Sequence, residues 1–383
     1  MKAEPVPRPA RRTRRRALAL AAVGAYLALL NHSACSALRV EPVVRRAGAP
    51  VVDEHLELAR AYAPWIFHAV HPTRGRQDLP APVDFDGDLD GGNNWEHLPS
   101  CELVPTAGYS VLETATHWFV TWHLFHPRDW EIIDLGVHLT HEGDGENLQV
   151  VVEKASGDVV LLYTQAHYRG GAYARSGAGF ADGEEELRGE PLLLDANGRP
   201  DPRGRHAAVF VESRGHGIYG VGDSCAEVAV DAEGRVQFEG HGIVLRPARA
   251  GEAVNEPALD VLGPVPYQLE SMVAKLWPLH VRGELCGEGR LLDGPWPYRD
   301  GRVAVDVPRY HEGDRFSGPL GPDRGISPYA VDYGWKKGEL GALYFDPARR
   351  HAELLEVPQP WSLEYVGYPF AAPLSVERAP AAQ

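Results

Sequence analysis

The stretch His141-Glu142-Gly143-Asp144-Gly145-Glu146-Asn147-Leu148-Gln149-Val150-Val151-Val152 decides the fold class. Its second half is a β-branched run of the kind that fits a pleated, buried surface. Its first half gathers two carboxylates and an imidazole where the chain enters that strand. The pattern breaks at Ala155-Ser156-Gly157-Asp158 and resumes over Val159–Gln165, which predicts a hairpin of Glu146–Lys154 with Val159–Gln165. Upstream, Tyr109–Glu113 and His117–Phe125 are rich in β-branched and aromatic residues. The second carries aromatics on both faces, as a central strand buried on each side does.

Further strands are expected at Ala208–Glu212, Ala226–Val230, Val236–Glu239, Ile243–Arg246 and Gly341–Phe345. Two segments have helical spacing. Val52–Ala63 puts Leu56, Ala59 and Ala63 on one face before Pro64 ends it, and Tyr267–Trp277 aligns Leu269, Met272, Val273 and Leu276. Residues 72–108 are turn-rich, and residues 170–205 read as a Gly- and charge-rich excursion. With 41 Gly and 32 Pro, the chain suits many short elements joined by turns better than a helical bundle. The expected fold is mainly β: a β-sandwich with two or three short helices and long Gly/Pro-rich loops. Residues 51–383 are read as a single domain with an irregular C-terminal lobe, and residues 38–50 as a linker.

The N-terminus reads as an address. Lys2, Arg8, Arg11, Arg12, Arg14, Arg15 and Arg16 face a single acid, Glu4, and an apolar run from Ala17 to Leu30 follows. That run is short of the roughly 20 residues that cross a bilayer as a helix, and small residues succeed it, as in a secretory leader. Residues 1–37 are therefore expected to be an export signal, or a lipoprotein leader with Cys35 as the lipidated residue. Thr13-Arg14-Arg15-Arg16-Ala17-Leu18 is similar to a twin-arginine signal without its usual aromatic residue. The expected location is periplasmic, cell-envelope or extracellular, with membrane attachment only through the leader. Removing residues 1–37 takes the formal net charge from −15 to −21. So acidic a domain repels nucleic acid, which is not expected as a partner. Cys101, Cys225 and Cys286 remain besides Cys35; no C-x-x-C pair suggests a cysteine zinc site, and which cysteines pair is open.

The chemistry concentrates at the quoted stretch. Alternation along an extended chain puts Asp144 and Glu146 on one face. With His141, they form a set that would hold a divalent cation, and oxygen-dominated ligation favours Mg²⁺ or Ca²⁺, or else Mn²⁺, over a soft metal. The same residues would also suit a solvated acidic turn. The pattern His-x-x-Asp-x-Glu running into a valine-rich strand resembles the signature of necrosis-inducing secreted proteins. It is similar as well to the His-x-x-Asp-Trp-Glu segment of a vacuolar-sorting-related family. The resemblance covers about 30 residues well. It implies a β-sandwich whose His, Asp and Glu help hold a divalent cation in a surface crevice, where the ion helps bind sphingolipid headgroups. On this chain those positions are His141, Asp144 and Glu146, with Asp134 or Asp129 as a further acid. Two positions depart from the signature: Gly145 stands where it has Trp, and Gly143 where it has a second His.

Other candidates rank lower. His126-Pro127-Arg128-Asp129-Trp130-Glu131 has a similar shape but lacks the long strand beyond it. Asp86, Asp88 and Asp90 alternate before Gly91 like the opening of a calcium loop, yet a full EF-hand loop would need Glu where His97 stands. His216 lies between Gly215 and Gly217, which leave it sterically open. His216 and His126 are the candidate catalytic bases if the protein is an enzyme. His117 and His123 share a face and are read as structural. Gly222-Asp223-Ser224-Cys225 is a poor nucleophile block without a partner Asp-x-x-His near the C-terminus. No G-x-S-x-G, H-E-x-x-H, phosphate loop or dinucleotide fingerprint occurs. The expected function is an exported, divalent-cation-binding β-sandwich that recognises a polar ligand such as a glycan or lipid headgroup. The alternatives are a metal-dependent hydrolase and a structural envelope protein.

Overall fold

The computed structural model describes residues 55–129, 141–166, 169–221, 228–231, 236–238, 240–261, 263–282, 290–291, 342–357 and 361–370. The fold is mainly β, with few short helices. The first half supplies β1 (Trp65–Ala69), β2 (Thr106–Thr114), β3 (His117–Asp129), β4 (His141–Glu153), β5 (Val159–Ala166) and β6 (Arg169–Ala174). Two-residue strands β7 (Ala181–Asp182) and β8 (Leu193–Leu194) lie in the excursion. Then follow β9 (His206–Val211), β10 (Ile218–Gly220), β11 (Val228–Val230), β12 (Val236–Phe238), β13 (Gly242–Pro247), β14 (Val265–Ser271), β15 (Leu355–Glu356) and β16 (Tyr365–Gly367).

Twelve of these strands join one mixed sheet with the path β10-β9-β1-β13-β14-β2-β3-β4-β5-β6, β8 adding to β9 and β16 to β2. The β1–β9, β13–β14 and β14–β2 pairs are parallel, and the rest of the path is antiparallel. The sheet curls until its ends meet: the Gly220 N–H on β10 donates to the Tyr173 hydroxyl on β6 at 3.0 Å. The enclosed core draws Ile66, Trp122, Leu124, Leu148, Val150, Val209, Val211, Ile218, Leu245 and Tyr267 from both arms. The strands thus hydrogen-bond as one curled sheet rather than as two separate layers.

The central strands match the sequence pattern. Gly157, with φ +73°, closes the β4–β5 hairpin in the left-handed region that glycine adopts at least cost. β3 is buried on both faces, as its aromatic residues predict. Val120, Trp122 and Leu124 enter the enclosed core, while Phe119 and Phe125 join a second core outside the sheet. That outer core is roofed by C-terminal residues including Leu343, Tyr344, Ala348, Leu354, Trp361 and Phe370.

Two expectations are corrected. Tyr267–Trp277 is not one helix: β14 runs to Ser271, and short helices follow at Met272–Lys275 and Trp277–Val281. Parallel pairing of Gln268–Ser271 with Thr106–Tyr109 extends the first half. The Ser271 side chain then accepts from the Ala274 N–H and starts the helix. The expected strand at Gly341–Phe345 is a helical turn, Ala342–Phe345, leading into a helix at Pro347–Leu354; four apolar residues do not distinguish strand from helix by periodicity. The first predicted helix appears as Leu56–Tyr62. The strand β1 directly after Pro64 was not expected. Among the described residues no helix is long and apolar enough to cross a membrane. Cys101 is a free thiol, and Cys35, Cys225 and Cys286 lie outside the described residues.

The outer face of β3–β5 carries a buried polar row. His123 Nδ1 donates to Asn147 Oδ1 at 2.8 Å, and Asn147 Nδ2 donates to Gln165 Oε1. Gln149 Nε2 donates to Thr121 Oγ1 at 2.7 Å, and His351 Nε2 donates to Gln149 Oε1. Burial pushes both His123 and His351 down to about 3. Their folded values lie below the ordinary 6.5, so the stability they confer is fully present above pH 6.5. It is lost as pH falls towards 3, at about 1.4 kcal/mol per pH unit for each imidazole. Denaturant melts from pH 7 to 4 should show this loss, and His351→Gln should reduce the slope by one proton's worth. An unchanged slope in the variant would remove His351 from the explanation.

Candidate metal centre

The site begins with register. β3 and β4 pair antiparallel so that His126 lies opposite Asp144 and Leu124 opposite Glu146. Trp122 and Leu124 face the enclosed core, so alternation sends His126 to the same side. Leu148 and Val150 fix the side of Asp144 and Glu146 in the same way. His68 on β1 alternates with Ile66 and Val70 and points into that core from the other arm.

His216 comes from the tight turn between β9 and β10. Arg214 and His216 have φ of +76° and +51°, a left-handed conformation that costs a non-glycine residue free energy. Asp78, at the end of the 3₁₀ turn Gly75–Asp78, anchors this turn. Its Oδ1 accepts from the Arg214 N–H at 2.9 Å and its Oδ2 from the His71 N–H at 2.7 Å.

These groups form one array. His216 Nδ1 stands 2.7 Å from Asp144 Oδ2, and His216 Nε2 stands 3.3 Å from Asp78 Oδ1. The His126 and His216 rings stack at 3.7 Å, 8° from parallel. His68 Nε2 is 3.0 Å from His126 Nε2, and His68 Nδ1 donates to the Ala69 carbonyl at 2.8 Å. His68, Asp78, His126 and His216 are fully buried and Asp144 is 1% exposed, so charge here must be balanced locally. Burial opposes the His216 charge, but hydrogen bonds to Asp144 and then Asp78 raise it to about 9. Burial also acts against the Asp78 carboxylate, yet His216 and the two backbone donors hold its pKa below the ordinary value. Burial lowers His68 to about 4 and His126 well below the usual range, with His216 adding to both. A protonated His216 between two carboxylates, beside two neutral imidazoles, is the result.

Ligand-type atoms of His126, Asp144 and His216 all lie within 4.8 Å of one another. The structure therefore brings Asp144 together with the two histidines that the sequence offered as candidate bases. Glu146 is buried two positions along the same face. His141 pairs with Asp129 at the start of β4. By alternation Asp129 lies on the opposite face of β3 from His126. The Asp134, His141 and Cys35 side chains lie outside the described residues. His68 and Asp78 were not anticipated. The one trace of His68 in the sequence is a polar residue inside the apolar run Trp65-Ile66-Phe67-His68-Ala69, and Asp78 left none.

The second acidic loop looks different. Asp86, Asp88 and Asp90 accept in turn from the N–H groups of Asp88, Asp90 and Gly92 at 3.3, 2.7 and 2.9 Å. These are successive Asx turns. His97, standing where an EF-hand would place Glu, reaches Asp86 Oδ2 at 2.8 Å, and Asp86, Asp88 and His97 form a second group of ligand-type atoms.

The departures from the sequence signature have a physical cause. A Cβ on Gly145 would meet the His123 ring at 2.4 Å, so this imidazole fills the space that a side chain at 145 would need. Gly143 has φ +58°, and a Cβ there would stand 3.3 Å from Phe125.

No protein-family model and no curated protein matches the chain. Solved structures do. One, described as a toxin fold for microbial attack and plant defense, is 16% identical, covering 47% of this chain and 74% of that one with a TM-score of 0.28. NLPPya in complex with glucosamine matches at 16% identity over 47% and 73% of the two chains, TM-score 0.28. Necrosis and Ethylene inducing Protein 2, from the causal agent of cocoa's Witches Broom disease, matches at 15% over 46% and 72%, TM-score 0.28. This is a distant structural match to the necrosis- and ethylene-inducing toxin fold. It assigns no residue of this chain a role.

Gly145→Ala should displace His123 from Asn147 and cost about 1–3 kcal/mol, the usual range for overpacking. Urea unfolding measures this, and a variant as stable as the parent would show that the His123 position is not enforced.

Proposed function

We propose that this is an exported protein that holds a divalent cation at His126, Asp144 and His216 and uses the ion to recognise a polar ligand, a glycan or a lipid headgroup. The observation that carries the reading is the convergence of those three groups from β3, β4 and the β9–β10 turn within 4.8 Å. Nothing local to one segment produces it: three stretches separated by 18 and 72 positions have to meet. His126 Nδ1 has no hydrogen-bond partner among the described residues, and buried polar atoms are rarely left so. A cation would engage that lone pair while the Asp144 carboxylate offsets its charge.

In the same reading, Glu146 stands on the inner face of β4, two positions from Asp144. The two arms of the curled sheet act as the two layers of a sandwich, with the site between them at one end of the core. Residues 1–37 serve as the export leader, and 51–383 form one working domain.

The test is a thermal melt of chelator-stripped protein with Ca²⁺, Mg²⁺, Mn²⁺ or Zn²⁺ added in turn. An ion at about 100 times its Kd adds about 2.7 kcal/mol, which at this size raises Tm by roughly 3–4 °C. Asp144→Asn should abolish the rise. The loaded protein should then retain an amino sugar such as glucosamine, or vesicles bearing glycosylated headgroups, and release them when chelator is added. No rise with any ion would overturn the reading.

A further inference from the structure

The class of ion can be read from where hydrogens must sit; this step rests on the cation-site reading above and deepens it. The Ala69 carbonyl only accepts, so His68 Nδ1 carries a hydrogen. His68 Nε2 and His126 Nε2, 3.0 Å apart, share one hydrogen between them. If it belonged to His68, that ring would be an imidazolium. His216 is already one, because both its nitrogens face carboxylate oxygens. A second buried positive charge, with its ring centroid 6.2 Å from the first, is costly. The hydrogen therefore belongs to His126 Nε2, and His68 Nε2 accepts it.

The consequence falls on the other side of the ring. His126 Nδ1 carries no hydrogen and presents a lone pair, with no hydrogen-bond partner among the described residues. A ring nitrogen prepared in this way, with its opposite N–H held by a second group, is the arrangement that metal-bound histidines have. Here a second imidazole, itself tied to a backbone carbonyl, supplies the hold.

We propose that the site takes a nitrogen-binding first-row transition ion of the Zn²⁺ class in preference to Ca²⁺ or Mg²⁺, with His126 Nδ1 as a ligand and His68 as the positioning residue that sets its tautomer. Two imidazoles and one carboxylate form the donor set, and imidazole suits Zn²⁺ and its neighbours. Ca²⁺ and Mg²⁺ take oxygen. The sequence set of His141, Asp144 and Glu146 pointed to oxygen-dominated ligation, whereas the structure gathers His126 and His216 beside Asp144. His216 loses one proton to solvent as it turns from a hydrogen-bond donor into a ligand. Two ligands at about 2.0–2.1 Å from one Zn²⁺ stand at most about 4.2 Å apart. The ligand atoms, within 4.8 Å of one another without an ion, would therefore draw together and the stacked rings would tilt on binding.

Chelator-stripped full-length protein is titrated calorimetrically with Zn²⁺, Ca²⁺ and Mg²⁺, and separately with Co²⁺ while the visible spectrum is recorded. Zn²⁺ is expected to bind at least ~100-fold more tightly than Ca²⁺ or Mg²⁺. Co²⁺ should develop ligand-field bands that Zn²⁺ bleaches and a hundredfold excess of Ca²⁺ leaves intact. His126→Ala should remove both signals. His68→Phe should weaken Zn²⁺ about 10–100-fold, while His68→Gln, whose amide oxygen still accepts from His126, should stay within a few-fold of the parent. Circular dichroism checks that each variant folds; if His68→Phe does not, His68→Gln and the ion preference of the parent decide. Ca²⁺ or Mg²⁺ binding as tightly as Zn²⁺, lost in Asp144→Asn, would overturn this inference and leave the cation reading standing. Binding of no ion would end both. Zn²⁺ binding that survives His126→Ala would overturn the ligand assignment, and a folded His68→Phe with parental affinity would overturn the role of His68.

Discussion

The register between β3 and β4 is the constraint on which the site depends, because it sets His126 directly across from Asp144. The same pairing fixes which side chains enter the core. Trp122 and Leu124 on one strand and Leu148 and Val150 on the other are all buried in it, and a slip of one residue would turn each of these outward. Apolar burial thus holds the register, and the register aims two polar side chains into the end of the core. No hydrogen bond between His126 and Asp144 is needed for this. The sheet places them by alternation alone.

Curling of the sheet supplies the rest. β1 and β9 belong to the other arm, and closing the path brings β10 against β6 and the His216 turn over Asp144. An imidazolium and two carboxylates taken fully from water are tolerable only as a set, since each would carry a penalty of several kcal/mol alone. Asp78 therefore does two things at once: it balances His216, and through the Arg214 N–H it pins the left-handed turn that carries the ring. His68 and His126, neutral beside that charged set, complete the buried array.

Much of the sheet was legible because its signals are local. Alternating apolar residues, two-faced aromatics on β3 and the Gly157 turn locate β2 to β5 to within a few residues. Misreadings came where a short apolar run had two solutions. Leu269, Met272, Val273 and Leu276 satisfy helical spacing, but parallel pairing with β2 draws the first half into a strand. Ala342–Phe345 packs into the outer core as a helical turn. At the site, Asp144 was legible from carboxylate spacing ahead of a strand, and His216 from its flanking glycines. Their meeting was not, because it depends on the curl of a sheet whose two arms are far apart in sequence. Asp78 and His68 acquire meaning only when that curl is complete. Gly145 looked like a loss from a known pattern, whereas the His123 ring beside it gives the glycine a steric reason.

The most direct measurement is anomalous diffraction from crystals of the chelator-stripped protein soaked with Zn²⁺, recorded above and below the zinc edge. A single strong anomalous peak bounded by His126 Nδ1, an Asp144 oxygen and a His216 nitrogen is the predicted result. A map without a peak between β3, β4 and the β9–β10 turn, or with its peak elsewhere, would contradict the central claim that these three groups form a metal site.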